Sequence, residues 1–567
     1  MSRRSGYAMD RRSFVKALLG TSALGLTRTP LMSLLDALTR GLVNDAAAQS
    51  LGINPRRYVV VELVGGPPRW LFDLALKPSG NDSFVANDYV TTKISSGNSG
   101  YQTTQVGDFH YSSLWASSLP TTGGGTVAMS SLLANMGTLR GVNMQADGHE
   151  PNRIKQVMPV ASAPSLTGMV ADHSTHLFSS VTTRNQGAFR SGTGLAQTFQ
   201  SPSSENPLQG LFTAFNDAGR TSGNPAFQTF FSRRDLLKEA MSMMTNSLAD
   251  HYEARSPGSV ALRNNVSQAE RKLLAGVAGV AAEWAPLVGK YRALITAVAK
   301  DKAVPGIMDG AIKDSVAGRR RVALANPATI VDPGVDFDAR ALVSDNSSVS
   351  NLAESFAIAE YLLMNDLSSS IHLSVGEPSG PHPKTGVMTR FNMDMHGQGR
   401  GSALVISAFY YRSLAACLHE FTNVLKNKAL AGGQNLFDET VIHLCSEFSR
   451  SPRSAGEGSD HGWGANVTSL ISGAINTPFV AGNIYTTPNN ETFRDDYSNA
   501  TYGGTWGLGA PVKVDNGDNI LHAGYAASAV AAALRVESPN SNFVSVLTEG
   551  VGGLKPASDL GKPRNVS

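Results

Sequence analysis

The alternation of short β-branched apolar runs with longer helix-like stretches constrains this chain most. Tyr58-Val59-Val60-Val61-Glu62-Leu63-Val64 opens the pattern, and Gly65-Gly66-Pro67-Pro68 stops it. A short, almost wholly apolar run reads as a strand buried on both faces, since a half-exposed strand would alternate apolar and polar residues. Leu139 to Val142, Ile371 to Val375 and Thr440 to Cys445 read as further strands. Val467 to Ile471 and Tyr525 to Leu534 read as buried segments. Leu132 to Leu139 reads as a short helix, as does the stretch opened by Pro164-Ser165 through Ala171, where Ser is a good cap. Leu352 to Asp366 and Ser402 to Lys428 have helical spacing of Leu, Ala and Phe. Strands alternating with helices predict an α/β protein with a mainly parallel sheet covered on both faces. Ligands of such sheets sit beyond the carboxyl ends of the strands, which says where to look for chemistry.

The rhythm divides the chain. Residues 49–204 form a first α/β part, 205–345 a helical insertion and 346–567 a second α/β part. Residues 79–127 are an irregular excursion rich in Ser, Thr, Gly and Asn. Only 16% of the 567 residues are charged, against about a quarter in ordinary globular chains, yet 41% are hydrophobic, enough for a full core. Two cysteines exclude a disulfide scaffold. Cys417 and Cys445 read as buried thiols, a bridge between them being the alternative. A net charge of +3 gives no argument for nucleic acid.

Residues 1–48 have the layout of an export signal. Arg11, Arg12, Phe14 and Lys16 precede the apolar run Ala17 to Leu26, and small residues follow at Ala46-Ala47-Ala48. The arginine pair resembles the twin-arginine consensus, which implies passage through the twin-arginine (Tat) export machinery to a periplasmic or secreted location. The apolar run is too short to span a bilayer, and no other segment predicts a transmembrane helix. Seven basic and three acidic residues fall in 1–48, so the positive excess belongs to this segment and the rest is nearly neutral.

Three clusters stand out as chemistry near predicted strand ends: Asn392-Met393-Asp394-Met395-His396-Gly397, Ser446-Glu447-Phe448-Ser449-Arg450, and Ser459-Asp460-His461-Gly462-Trp463-Gly464. Each is read as following a strand. Asp394, His396, Asp460 and His461 supply oxygen and imidazole donors suited to zinc, manganese, magnesium or calcium. Glu447 is a catalytic candidate, a further ligand or an orienter of a ligating histidine; an ordinary pair with Arg450 or Arg453 is the bland alternative. His149, in Asp147-Gly148-His149-Glu150, is a second-tier ligand candidate. Ser165 is a weak nucleophile candidate, a helix cap being its alternative role. His443, inside an apolar strand, reads as a core histidine. No Gly-x-Ser-x-Gly elbow, Walker loop or dinucleotide fingerprint is present.

These segments, in the order Gly65-Gly66-Pro67, Leu139-Arg140-Gly141 with His149, Pro164-Ser165-Leu166, Asp394-Met395-His396, Ser446 to Pro452 and Ser459 to Gly464, resemble a bacterial exported family. It is the domain of unknown function family fifteen-oh-one, similar to the alkaline phosphatase and sulfatase superfamily. The resemblance covers most of 55–200 and 350–540. It implies a three-layer α/β/α sandwich and descent from metal-dependent hydrolases of phosphate or sulfate esters. It places Asp394, His396, Asp460 and His461 at or near metal-ligand positions. Relatives carry an Asp soon after the paired glycines, a place that Asp73 fills only with a small shift. Two readings stay open: a metal-dependent hydrolase of a small ester or polymer, and a non-catalytic periplasmic binding or envelope-assembly protein that keeps the fold.

Overall fold

The computed structural model describes residues 55–75, most of 103–211 and 280–298, then 349–376, 400–452, 459–484 and most of 509–557. Short pieces at 321–322, 330–331, 379–381, 388–390 and 393–394 complete the described residues. The export-type segment 1–48 lies outside them, as does most of 205–345, within which 282–298 is helical.

The centre of the fold is an eight-stranded sheet. Its strands are β1 (Arg57–Val64), β2 (Met136–Val142), β3 (Ser180–Thr182), β4 (Thr198–Gln200), β5 (Ser370–Gly376), β6 (Thr440–Ser446), β7 (Asn466–Ile471) and β8 (Phe479–Ala481). The order across the sheet is β8-β2-β7-β6-β1-β5-β3-β4. All pairings are parallel except the two made by β7, which runs antiparallel between β6 and β2. The mixed α/β class and the mainly parallel sheet expected from the sequence are therefore present. The reversed strand was not foreseen, because an apolar run carries no sign of direction.

Central β1 shows why the run is so apolar. Successive side chains point to opposite faces, and both faces are covered. Val59, Val61 and Leu63 pack on one side with α3 (Val349–Met364) and α4 (Arg400–Asn427). Tyr58 and Val60 pack on the other with α1 (His149–Val157), α2 (Leu166–Asp172) and α5 (Ala523–Leu534). Each fully buried valine contributes roughly 1.5–3 kcal/mol. The helix expected over Leu132 to Leu139 is instead a 3-10 helix at Met129–Asn135, and Met136 to Leu139 already belong to β2. No helix among the described residues is long and apolar enough to cross a membrane.

The second face also carries polar residues in register. Tyr58, Val60 and Glu62 lie beside Ser370, His372 and Ser374 of β5, and beside Val441, His443 and Cys445 of β6. His443 is a core histidine: it is fully buried and sits 2.7 Å from the Tyr58 hydroxyl. Burial, with help from Arg69 and His372, pushes its pKa down to about 3. Cys417 and Cys445 are both buried free thiols.

Candidate metal centre

Four segments meet at one edge of the sheet. β1 ends at Val64 and turns through Gly65-Gly66, β6 ends at Ser446 and delivers Glu447 to Arg450, and β2 ends at Val142 and leads to His149 at the start of α1. Ser459 to Gly464 precedes β7 instead of following a strand, which corrects the expectation. It reaches the same edge because β7 is reversed, and Asn466 at its start pairs with Val142 at the end of β2. The register shifts between Asn466 and Val467, an irregularity of the kind that re-aims chain near functional sites.

Two glycines make the approach possible. Gly65 has φ +89°, and a Cβ there would lie 3.0 Å from Met393 Cβ and 3.1 Å from Asp394 N. Gly462 has φ +60°, and its Cβ would lie 2.7 Å from the Arg450 carbonyl carbon. Any other residue at these places would push Asp394 or the Arg450 backbone away. Arg450 itself has φ 60°, a left-handed conformation uncommon outside glycine. Its buried guanidinium donates from Nε to Gly66 O (2.8 Å) and from Nη2 to Gly65 O (2.7 Å), and also to Asp394 Oδ1.

The geometry brings together His149, Asp394 and His461, each offering a ligand atom within 4.8 Å of the others. His149 stands between two carboxylates: Nδ1 is 3.1 Å from Glu447 Oε1, and Nε2 is 3.3 Å from Asp394 Oδ2. Hydrogen bonds to Asp394 and Glu447 outweigh burial and raise its pKa to about 9. His461 is held differently. Its Nδ1 bonds Asp147 Oδ1, its ring stacks on Phe448 at 4.0 Å, and it meets the His149 ring edge-on at 4.9 Å. Burial, and the positive charges of Arg450 and His149, outweigh Asp147 and lower its pKa. A neutral His461 that donates Nδ1–H to Asp147 carries its lone pair on Nε2.

Glu447 is 1% exposed. Its Oε1 accepts from Gly65 N at 2.7 Å, while its Oε2 has no hydrogen-bond partner among the described residues. Buried carboxylate oxygens seldom go unsatisfied, so this atom points to something the site binds. Arg450 pairs with Asp394 and not with Glu447.

The other sequence candidates lie elsewhere. Asp73 is buried in an ion pair with Arg69, its Oδ2 also accepting from Ser469 Oγ at 2.6 Å, and it does not join the cluster. Ser165 caps α2: its fully buried Oγ accepts from the backbone N–H groups of Gly168 and Arg190, both at 3.0 Å. His396 and the side chain of Asp460 lie outside the described residues. Asp147 is a site residue quoted in the sequence motif without a role, and Arg450, weighed only as a partner of Glu447, pairs with Asp394 instead. The signal for Asp147 was its place two residues before His149.

Scans against protein families, curated proteins and solved structures find no match to the chain.

Proposed function

We propose that this chain is an exported metal-dependent hydrolase of phosphate or sulfate esters with an alkaline phosphatase-like fold. We place its metal centre at His149, Asp394 and His461. The observation that carries the reading is the pairing of each imidazole Nδ1 with a carboxylate, Glu447 for His149 and Asp147 for His461, while the ligand atoms of the cluster converge. Histidines that bind metals are usually oriented in this way through their second nitrogen. Two imidazoles and a carboxylate suit zinc or manganese better than magnesium or calcium, which prefer oxygen donors.

When bound, such an ion supplies Lewis acidity toward an ester oxygen and a nucleophile near neutral pH. The chain's own residues prepare the place. Arg450 donates to Asp394 Oδ1, and Asp394 Oδ2 is the oxygen on the His149 side, 3.3 Å from Nε2. Glu447 and Asp147 hold the rings, and Phe448 fixes the plane of His461. Glu447 Oε2 is available as a further ligand or as an acceptor for a proton released at the site. The twin-arginine pattern at Arg11 and Arg12 and the family-like order of motifs support the exported, superfamily-level part of the proposal.

One observation favours the binding or envelope-assembly alternative: Asp394 already has one oxygen on Arg450 and the other beside His149. Such a network is also a way to satisfy charge without a metal. Elemental analysis of the folded protein decides between them, followed by aryl phosphate and aryl sulfate hydrolysis after metal loading. The proposal expects one or more equivalents of zinc or manganese, lost in Asp394→Ala and His461→Ala, and hydrolysis of at least one ester class. A folded wild-type protein that takes up no ion removes it.

A further inference from the structure

We propose that Glu62 and Arg153 form a clamp that positions His149 at the site. This rests on the metal-centre reading above. Arg153 lies four residues after His149 on α1, one turn along the same helix face. Its Nε donates to Glu62 Oε1 at 2.6 Å, and its Nη2 approaches Oε2 at 3.4 Å. Glu62 is 2% exposed near the end of β1, and β5 completes its shell: His372 Nε2 lies 3.0 Å and Ser374 Oγ 2.7 Å from Oε2. Burial works against the Glu62 charge, but His372 and Arg153 override it and bring its pKa down to about 2.

The contacts close a ring. From Glu62 the path runs through Arg153 and the first turns of α1 to His149, then to Glu447 Oε1, and from Glu447 back to the N–H of Gly65, three residues beyond Glu62. One strand end thus grips both the helix that carries His149 and the carboxylate that orients its ring. The α1 N-cap is Gly148, which makes no side-chain cap bond, so the clamp supplies an anchor that the helix terminus lacks. Glu62 and Arg153 are positioning residues that act through the imidazole.

The test uses the full chain with Glu62→Gln, Arg153→Met, the double variant and Arg153→Lys. It reads zinc affinity by competition with a chromophoric chelator, and amide hydrogen exchange along α1. Each single variant is expected to weaken zinc by about 10–100-fold, the usual range for residues that orient a ligating histidine. The double variant is expected to lose no more than the worse single one, because the two groups act as one pair. Arg153→Lys keeps the charge without the planar fork, so it recovers part of the affinity. Exchange should speed up over 149–157 and stay slow in β1 and β5.

A lower melting temperature with wild-type zinc affinity in the folded variants would mean a structural pair only, and overturns the clamp. If the wild type itself binds no zinc, the metal reading fails separately, and hydrogen exchange judges the clamp. Faster exchange confined to α1 then supports it, and unchanged exchange overturns it. Should Glu62→Gln fail to fold, the Arg153 pair of variants carries the same test.

Discussion

Two arginine–aspartate pairs stand near the same turn and do different work. Arg69 and Asp73, four residues apart, are both wholly buried. Arg69 donates to both carboxylate oxygens of Asp73, to Ser446 Oγ at 3.1 Å and to the Leu444 carbonyl at 3.4 Å, and Ser469 completes Asp73. Arg450 and Asp394 differ. The arginine is buried, but Asp394 is 26% exposed; Arg450 Nη2 is shared between Asp394 Oδ1 and the Gly65 carbonyl, and Nε donates to the Gly66 carbonyl. A forked, saturated pair leaves the aspartate nothing to offer a ligand. In the second pair the other oxygen, Asp394 Oδ2, lies 3.3 Å from His149 Nε2. The number of carboxylate oxygens an arginine consumes separates scaffold from site.

The largest effect should come from breaking the closed pair. Asp73→Ala strands a buried guanidinium, which costs about 3–5 kcal/mol of folding free energy. Zinc affinity of the folded fraction should stay at the wild-type value. Urea unfolding and chelator competition measure the two quantities, and a cost under about 1 kcal/mol would erase the contrast, since that is all an exposed pair contributes. Asp394→Asn should do the reverse. The amide oxygen still accepts from Arg450, so stability changes little, while zinc affinity falls by more than about 100-fold, beyond what loss of an orienting carboxylate costs. Asp147→Asn comes next. It removes the carboxylate that holds His461, and affinity should fall by about 10-fold. Wild-type affinity in that variant would show that His461 needs no orientation.

The two aspartates also mark how far the sequence could be read. The apolar runs gave β1, β5 and β6 nearly to the residue, since strands buried on both faces leave a plain signature. The helices α3 and α4 were legible from spacing, the α5 stretch only as a buried segment, and Ser165 from its cap position. The reversed direction of β7 was not legible, because pairing partners and not residue types set it, and that reversal is what brings His461 to the edge. The role of Asp73 was not legible, because its pairing with Arg69 is set in the turn that follows the short 3-10 helix Arg69–Leu71. His149 was underrated because a lone histidine beyond a strand is a weak signal until Glu447 and Asp394 are seen on either side of it. The Glu62 clamp was hidden inside an apolar run, where one acidic residue gives no hint of the three partners that keep it charged.

The smallest effect concerns pH, and it separates the site from the core. In metal-free protein the folded pKa of His149 is raised to about 9, above its ordinary value near 6.5. Folding therefore favours its protonated form. The stabilisation is fully present below about pH 6.5 and is lost as pH rises through about 9. The imidazole is 39% exposed, so solvent screens the interaction and the alkaline slope should be shallow. His443 has the opposite sign. Its folded pKa is lowered to about 3, so its contribution is present above about pH 6.5 and is lost as pH falls toward 3. Denaturant unfolding across pH 4–10 with a chelator present should show a fall on both sides. His149→Gln should flatten the alkaline side and leave the acid side intact. If the alkaline slope survives that substitution, Asp394 and Glu447 do not hold a proton on His149, and the open pair would be as closed to ligands as Arg69 and Asp73.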